Sequence, residues 1–309
     1  MKWLIWSIKS WSCEHEWKYD ESIFKTYHPD YNFTTSKTRV SATCSKCVGI
    51  VNMINSKYIK RGEILIRTLA VSDLHGCNDE FNSLLKKVKY NPSQDKLFLL
   101  GDYVDRGQKS RQMVEQVMQL SNEWGAIVLK GNHDDMFVAA INNDSEELDA
   151  QWLNNGGFQT IESYCGISFF EEGFEWEQYI KAKEFIRKHY QHHIDFLGSL
   201  PLYYETESHI FVHAGVNPFY EDWRNQPESD FIWIRDIFFN NKTGLNKTVV
   251  FGHTPCIHLH ESEDIWFDPK GDKIAIDGAC AYGLQMNLLE ITEEGTYIEH
   301  CVRRGEIHD

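Results

Sequence analysis

Five short segments of the chain carry side chains that bind divalent metals, and each segment contains a glycine. They are residues 73–76 (DLHG), 101–107 (GDYVDRG), 131–134 (GNHD), 213–215 (HAG) and 252–254 (GHT). Their carboxylate, amide and imidazole groups suit Mn, Fe, Zn or Mg and are poor ligands for Cu(I). Glycine allows the sharp backbone turns that let several side chains crowd around one ligand. The residue types therefore predict a metal site that is assembled from distant parts of the chain.

The segments supply six candidate ligands, which are Asp73, His75, Asp102, Asn132, His213 and His253. Six protein ligands are too many for one ion and suit two ions that share a carboxylate. Two divalent ions ~3.5–4 Å apart can hold a hydroxide between them and stabilise the oxygens of an in-line phosphoryl displacement. Each residue alone would be interpreted as a turn residue or a buried histidine. Their joint occurrence, each after a strand-like stretch, favours the metal site.

The elements that must position these ligands are strands of an α/β unit. The stretches ILIRTLAVSD, KLFLLGD and AIVLKGN alternate with helical spacing of apolar residues at 79–90 and 109–120. Such alternation predicts layered helices and strands, with ligands bound beyond the strand ends. The strand pattern returns at residues 209–215, 248–254, 273–279, 284–291 and 296–302. The last three are spaced like an antiparallel meander, and residues 139–200 predict a helical insertion.

Composition and charge exclude several functional classes. The 309 residues suffice for one or two domains, and the formal net charge of −15 argues against the basic face that binds a nucleic-acid duplex. No stretch approaches the ~20 apolar residues that a membrane span needs. Eight scattered cysteines in a chain of this length suggest reduced thiols. We therefore expect a cytoplasmic protein with no membrane partner.

Residues 1–62 are aromatic-rich and weakly patterned, and we predict a small N-terminal extension there. Cys13, His15, Cys44 and Cys47 could form a Cys3His structural zinc site. The Cys-x2-Cys half has a typical spacing and the Cys-x-His half does not, so unpaired thiols are an equal alternative. A zinc site would let a piece of about 60 residues fold alone, and the extension would then suit docking to a partner.

The ordered motifs DLHG, GDYVDRG, GNHD, HAG and GHT resemble the signature of calcineurin-like metallophosphoesterases. GDYVDRG and WIRD are similar to the phosphoprotein (serine/threonine) phosphatase family. FVHAGVNP, VVFGHTP and NGGFQTIESY most resemble its bacterial and bacteriophage branch, the lambda-phosphatase type. The resemblance runs from about Ile64 to the C-terminus. It implies a layered β-sandwich flanked by helices, with a catalytic domain at residues 63–309.

The resemblance also implies a role for each matching residue. Asp73 and His75 would bind the first metal, Asp102 would bridge both metals, and the second metal would be bound by Asn132, His213 and His253. Arg106 and Arg235 would bind phosphate oxygens. His133 would be the general acid, oriented by Asp105, and a metal-bridging hydroxide would attack phosphorus directly. Mn²⁺ is the expected metal, with Fe or Zn as alternatives.

Elementary chemistry agrees with these implied roles. A phosphomonoester dianion needs fixed positive charge, and the planar fork of an arginine matches two phosphate oxygens. An alkoxide is a poor leaving group, so a positioned proton donor should increase the rate by ~10² to 10⁴. A carboxylate beside His133 would orient the ring and favour its charged form.

The substrate is the least determined property. The sequence favours phosphoserine or phosphothreonine in proteins, with dinucleoside tetraphosphates or cyclic nucleotides as the alternative. Asp134 stands where many protein phosphatases of this family have Glu, and GNHD is common in the related dinucleoside tetraphosphatases. Tyr282 in DGACAYG either lines the site or is a packed aromatic. A catalytically inactive scaffold is disfavoured, because no ligand or acid is missing from the pattern.

Overall fold

The computed structural model describes residues 67–166 and 173–306, together with the backbone of three N-terminal strands. These strands are β1 (Trp17–Tyr19), β2 (Val40–Cys44) and β3 (Gly49–Met53), which pair antiparallel in that order. The chain divides into two compact units, Met1–Leu65 and Ile66–Asp309. Of the predicted zinc ligands, Cys13, His15 and Cys47 lie outside the described residues, and Cys44 is described as backbone only.

The second unit contains two five-stranded sheets. Its strands are β4 (Arg67–Val71), β5 (Asp95–Leu99), β6 (Ile127–Val128), β7 (Tyr203–Glu205), β8 (His209–Val212), β9 (Thr248–Phe251), β10 (Trp266–Phe267), β11 (Lys273–Ala275), β12 (Gln285–Ile291) and β13 (Tyr297–Arg303). One sheet has the order β13-β12-β4-β5-β6 and the other the order β10-β11-β9-β8-β7. The pairs β4/β5 and β5/β6 of one sheet and β8/β9 and β9/β11 of the other are parallel, so within each sheet their carboxyl ends lie at the same edge.

Helices cover the sheets. They are α1 (Asn78–Lys87), α2 (Ser110–Trp124), α3 (Asn132–Asn142), α4 (Glu146–Trp152), α5 (Phe158–Cys165), α6 (Trp176–Gly198), α7 (Glu228–Trp233) and α8 (Asp236–Phe239). A π-helical turn, Leu153–Gly157, joins α4 to α5. No helix among the described residues is long and apolar enough to cross a membrane.

Alternating side chains along the strands produce the layers. Ala70 and Phe98 belong to a buried cluster shared by the two sheets, in which Phe98 stacks on Phe211 with ring centroids 3.9 Å apart. Leu69, on the opposite face of β4, packs in the cluster formed with α1 to α6. Phe238 of α8 packs on the outer face of the second sheet. The predicted sandwich flanked by helices is therefore confirmed.

The predicted antiparallel meander is wrong in its first strand. β12 and β13 pair antiparallel, but β11 lies in the other sheet, parallel to β9. The chain changes sheets between β11 and β12 through two residues in the left-handed region, Ala279 (φ 57°) and Gly283 (φ 92°). A short spacing between two strands is compatible both with a hairpin and with a change of sheet, so the sequence could not distinguish these two topologies.

Candidate metal centre

The predicted ligands converge beyond the carboxyl ends of β4, β5, β8 and β9. The ligand atoms of Asp73, Asp102 and His213 all lie within 4.8 Å of one another, and so do those of His75, Asp102 and His133. All five side chains are buried. Asp102 belongs to both groups and so lies near His75 and His213, the predicted ligands of different ions, whereas His133 is the predicted general acid and not a ligand.

Asp102 directs its two oxygens to different partners. Its Oδ1 accepts a hydrogen bond of 2.9 Å from the backbone N–H of His133, in the first turn of α3. Its Oδ2 lies 3.5 Å from Nε2 of His75 and 3.5 Å from Nε2 of His213. The backbone N–H therefore fixes the carboxylate so that the second oxygen faces both imidazoles.

The backbone around these ligands is strained. Asp73 (φ 54°), His75 (φ 41°), Asp102 (φ 60°) and His253 (φ 61°) all have left-handed φ values. Such conformations cost about 1–3 kcal/mol each and cluster at functional sites. The loops also approach closely: a Cβ on Gly131 would lie 2.1 Å from Oδ1 of Asp102. Only glycine fits at that position.

Two histidines present the same nitrogen to the centre. Nδ1 of His75 donates to the carbonyl oxygen of Val104 at 2.7 Å, and Nδ1 of His213 donates to that of Leu100 at 2.7 Å. In the neutral ring Nε2 then carries a lone pair that faces Asp102. A metal-binding histidine usually donates its other N–H to a backbone carbonyl or carboxylate in this way.

The donor set fits divalent cations. Nε2 of His253 is buried and has no hydrogen-bond partner among the described residues. Oδ1 of Asn132 lies 2.9 Å from Nε2 of His213, so lone pairs of Asn132, His213 and Asp102 converge. Converging buried acceptors are costly without a cation between them. The residues present therefore fit two divalent ions.

The pKa shifts of four of these side chains are also consistent with bound divalent cations. Burial, followed by the negative charge of Asp73, raises the pKa of Asp102 well above its usual range. Burial, followed by the charges of His133 and Arg106, lowers the pKa of His75 well below its usual range. Burial likewise lowers the pKa of His213 and His253. Bound cations would favour the deprotonated state of all four groups.

A second buried network holds His133. Nδ1 of His133 lies 2.7 Å from Oδ2 of Asp105. The other oxygen, Oδ1, accepts hydrogen bonds from Nε1 of Trp152 at 2.8 Å and Oγ1 of Thr160 at 2.7 Å. Burial raises the pKa of Asp105 to about 7, and the bonds from Thr160 and Trp152 oppose that rise. This network fixes the ring through Nδ1 and leaves Nε2 as the nitrogen for proton exchange. Burial, followed by the charge of Arg106, lowers the pKa of His133 well below its usual range, so the expected gain of the charged form beside Asp105 is outweighed.

Trp152 and Thr160 were not predicted as part of the site. They lie 47 and 55 residues after Asp105, at the end of α4 and within α5. Thr160 also accepts a hydrogen bond of 2.8 Å from the backbone N–H of Asp105. The motif NGGFQTIESY contained Thr160, and this was the signal that could have suggested its position.

The two predicted phosphate-binding arginines lie at the edge of the centre. NH1 of Arg106 is 2.5 Å from Nε2 of His75, and its guanidinium lies 4.9 Å from the ring centroid of Tyr282. A cation at His75 would compete with Arg106 for the Nε2 lone pair, leaving the guanidinium to bind an anion. NH1 of Arg235 donates to Oγ1 of Thr254 at 3.1 Å, next to His253.

Asp134 stabilises the loops instead of facing the centre. Its carboxylate accepts hydrogen bonds of 2.9 Å from the backbone N–H groups of Asp102, Tyr103 and Gly131. Burial, followed by the charge of Asp102, raises its pKa to about 8. The residue therefore ties the loop after β5 to the start of α3.

Residues 66–281 match the model of the calcineurin-like phosphoesterase family. A symmetrical bis(5′-nucleosyl)-tetraphosphatase of Actinobacillus pleuropneumoniae serotype 3 is 47% identical over 74 residues, which are 24% of this chain and 27% of that protein. The chain thus spans about a quarter of the length of this relative. The asymmetrical bis(5′-nucleosyl)-tetraphosphatase PrpE of Anoxybacillus flavithermus is 26% identical over 251 residues, 73% of this chain and 91% of that protein.

A solved structure provisionally described as a diadenosine tetraphosphatase has a TM-score of 0.50 and 19% sequence identity to this chain. The match covers 77% of this chain and 98% of that structure. At this identity the likeness establishes the fold.

Proposed function

Because the chain belongs to the calcineurin-like phosphoesterase family, we propose that it is a dinuclear metal-dependent hydrolase of bis(5′-nucleosyl) tetraphosphates. The observation that carries the hydrolase proposal is the position of Asp102, whose Oδ2 lies 3.5 Å from Nε2 of His75 and 3.5 Å from Nε2 of His213. The buried pair of His133 and Asp105 lies beside it. Together they combine a cation site with a proton donor, the two parts that phosphoryl hydrolysis needs.

We assign Asp73 and His75 to one cation and Asp102 to both; the other cation is assigned to Asn132, His213 and His253. Oxygen and imidazole donors of this kind suit Mn²⁺, our proposed metal. When bound, the two cations supply an activated water at neutral pH and neutralise phosphate oxygens.

The remaining side chains bind the substrate and move a proton. Arg106 and Arg235 hold non-bridging phosphate oxygens through paired N–H groups. The water gives one proton to bulk solvent, its oxygen forms a bond to phosphorus, and the bond between phosphorus and the leaving oxygen breaks. His133 gives its proton to that leaving oxygen, while Asp105 keeps the imidazole ring in place through Nδ1.

Two observations support a nucleotide substrate. The relatives described above are named bis(5′-nucleosyl)-tetraphosphatases. In addition, a tetraphosphate chain carries several negative charges in a row, and the centre offers two cation positions and two arginines to neutralise them.

A second candidate substrate is a protein carrying phosphoserine or phosphothreonine. The observation that favours it is Arg235, which lies exposed beside the centre. Its motif, WIRD, resembles the phosphoprotein (serine/threonine) phosphatase family. An exposed arginine can reach a phosphate that is presented on a protein surface.

A comparison of the two substrates, each assayed separately, tests the proposal. The Mn²⁺-loaded enzyme would be given bis(5′-adenosyl) tetraphosphate or a phosphothreonine peptide, and kcat/KM would be measured for each. We expect the dinucleotide to be hydrolysed at least about tenfold more efficiently, a difference of 1.4 kcal/mol. Efficient hydrolysis of the peptide with an untouched dinucleotide would refute our proposal in favour of the second candidate.

A further inference from the structure

One exposed aromatic ring lies against a proposed phosphate-binding side chain. Tyr282 is 63% exposed, and the guanidinium of Arg106 lies 4.9 Å from its ring centroid. A guanidinium over an aromatic face is held by cation–π attraction. The high exposure shows that much of the ring surface remains open to solvent beside the metal centre.

The backbone holds this ring in place at an energetic cost. Tyr282 ends the short 3-10 helix Cys280–Tyr282, which lies between two left-handed residues, Ala279 (φ 57°) and Gly283 (φ 92°). Ala279 is not a glycine, so its conformation is strained. The backbone N–H of Ala279 is fixed by a hydrogen bond of 2.8 Å to Oδ1 of the buried Asp277.

A flat apolar ring beside a phosphate-binding guanidinium matches the two halves of a nucleotide. An aromatic face stacks on any nucleobase, and stacking contributes even without hydrogen bonds to the base edge. The arginine meanwhile pairs with the phosphate. A phosphopeptide would use the arginine but has no base to cover the ring.

We propose that the solvent-exposed face of Tyr282 is the nucleobase subsite of this centre. The proposal rests on the proposed function and deepens it, because it assigns the part of the molecule that recognises the nucleoside. The base stacks on Tyr282 while Arg106 holds an adjacent phosphate. Arg106, Tyr282 and the base would thus form a continuous stack.

Equilibrium binding separates the base from the phosphates. The probes are adenosine 5′-(α,β-methylene)diphosphate and methylenediphosphonate, which share an unhydrolysable P–C–P core and differ by the nucleoside. Calorimetry on the Mn²⁺-loaded enzyme should give about 5- to 150-fold tighter binding of the nucleoside compound, the range for one stacked base. Tyr282→Leu should remove most of this difference, and Tyr282→Phe should keep it. Any loss of methylenediphosphonate affinity in Tyr282→Leu, through Arg106, should be much smaller than the loss for the nucleoside compound.

Trp124→Leu is the matched control, since Trp124 is 46% exposed at the opposite end of α2 from the centre. It should bind both probes like the wild type. The subsite is refuted if the wild type binds the two probes equally. It is also refuted if Tyr282→Leu weakens the binding of both probes by the same factor, because that result would indicate an effect through Arg106. Hydrolysis of bis(5′-adenosyl) tetraphosphate is scored separately. An enzyme that shows the stacking difference but leaves the dinucleotide intact would refute the proposed function alone.

Discussion

Trp152 donates its indole N–H to Oδ1 of Asp105 at 2.8 Å, and both side chains are fully buried. Asp105 uses its other oxygen to hold His133. A residue of α4 therefore supports the orientation of the proposed general acid through Asp105. Because the carboxylate is buried, its orientation depends on these donors and not on water.

Trp152→Phe removes this donor and keeps an aromatic ring. We expect kcat for an alkyl phosphate to fall about tenfold with little change in KM, because His133 becomes misplaced while the phosphate contacts stay. Leaving a buried acceptor short of one bond should also lower the free energy of unfolding by about 1–3 kcal/mol. Steady-state kinetics and thermal unfolding measure the two effects. Trp176→Phe, at a Trp that is 40% exposed, is the control.

Thr160 tests the same network independently. Thr160→Ser keeps the hydroxyl and should retain near-normal kcat, whereas Thr160→Val removes it at similar volume and should behave like Trp152→Phe. If Thr160→Ser and Thr160→Val lowered kcat equally, the effect would come from the packing of the side chain and not from its hydroxyl group.

His133→Asn should depend on the leaving group. For an alkyl phosphate the leaving alkoxide needs a proton, so we expect a loss of ~10² to 10⁴ in kcat. A dinucleoside tetraphosphate releases a phosphate whose pKa is only ~6, so the loss should be far smaller. Parallel kinetics with both substrates measure the ratio. Equal losses of kcat with the two substrates would show that His133 acts on the nucleophile or on metal binding instead of on the leaving group. The metal content of the variant would distinguish these two roles.

Removal of the metals should lower the unfolding temperature of the wild type by more than that of the Asp102→Asn variant. Cations bound only to the folded state add about 2.7 kcal/mol at a concentration of 100 Kd. With a chelator, Asp102→Asn should unfold at or above the wild-type temperature, because the variant no longer buries the carboxylate of Asp102 beside Asp73. With Mn²⁺ the wild type should unfold at a higher temperature than the variant. Thermal scans and elemental analysis test this, and an equal Mn²⁺ effect on both proteins would contradict the shared-ligand role of Asp102.

The sequence predicted which side chains converge at the proposed metal centre but not all of the residues that support them. Asp73 and Asp102 could be predicted to meet because each follows a strand of one parallel pair, and parallel strands end at one edge. His213 follows a strand of the other sheet, so only its motif associated it with them. Trp152 could not be predicted, because a contact between a helical segment and a loop leaves no periodic pattern. Thr160 was marked only by its place in the motif NGGFQTIESY. Edge strands such as β10, with two residues, are too short to give an alternation signal.

His193 should make stability depend on pH. It is buried against Tyr164, whose hydroxyl lies 2.9 Å from Nδ1, and burial lowers its pKa from 6.5 to about 4. The unfolded chain therefore binds more protons between these pH values, and the free energy of unfolding falls as pH falls, by up to about 1.4 kcal/mol per unit. We expect His193→Gln to remove this component. Urea unfolding of both proteins at several pH values tests it, and parallel curves would contradict it.

Gly156 should control the position of Arg106. Its φ is 106°, its carbonyl oxygen accepts the N–H of Arg106 at 3.1 Å, and an added Cβ would lie 2.9 Å from Cγ of Arg106. Gly156→Ala should therefore displace the guanidinium and raise KM for phosphate substrates several-fold, besides the cost of about 1–2 kcal/mol for a left-handed alanine. Gly125→Ala is the matched control, because φ there is 71° but no atom lies within 4 Å of the added Cβ. It should lower stability and leave KM unchanged. If the two variants lost stability and kept the same KM, the contact with Arg106 would have no part in binding phosphate.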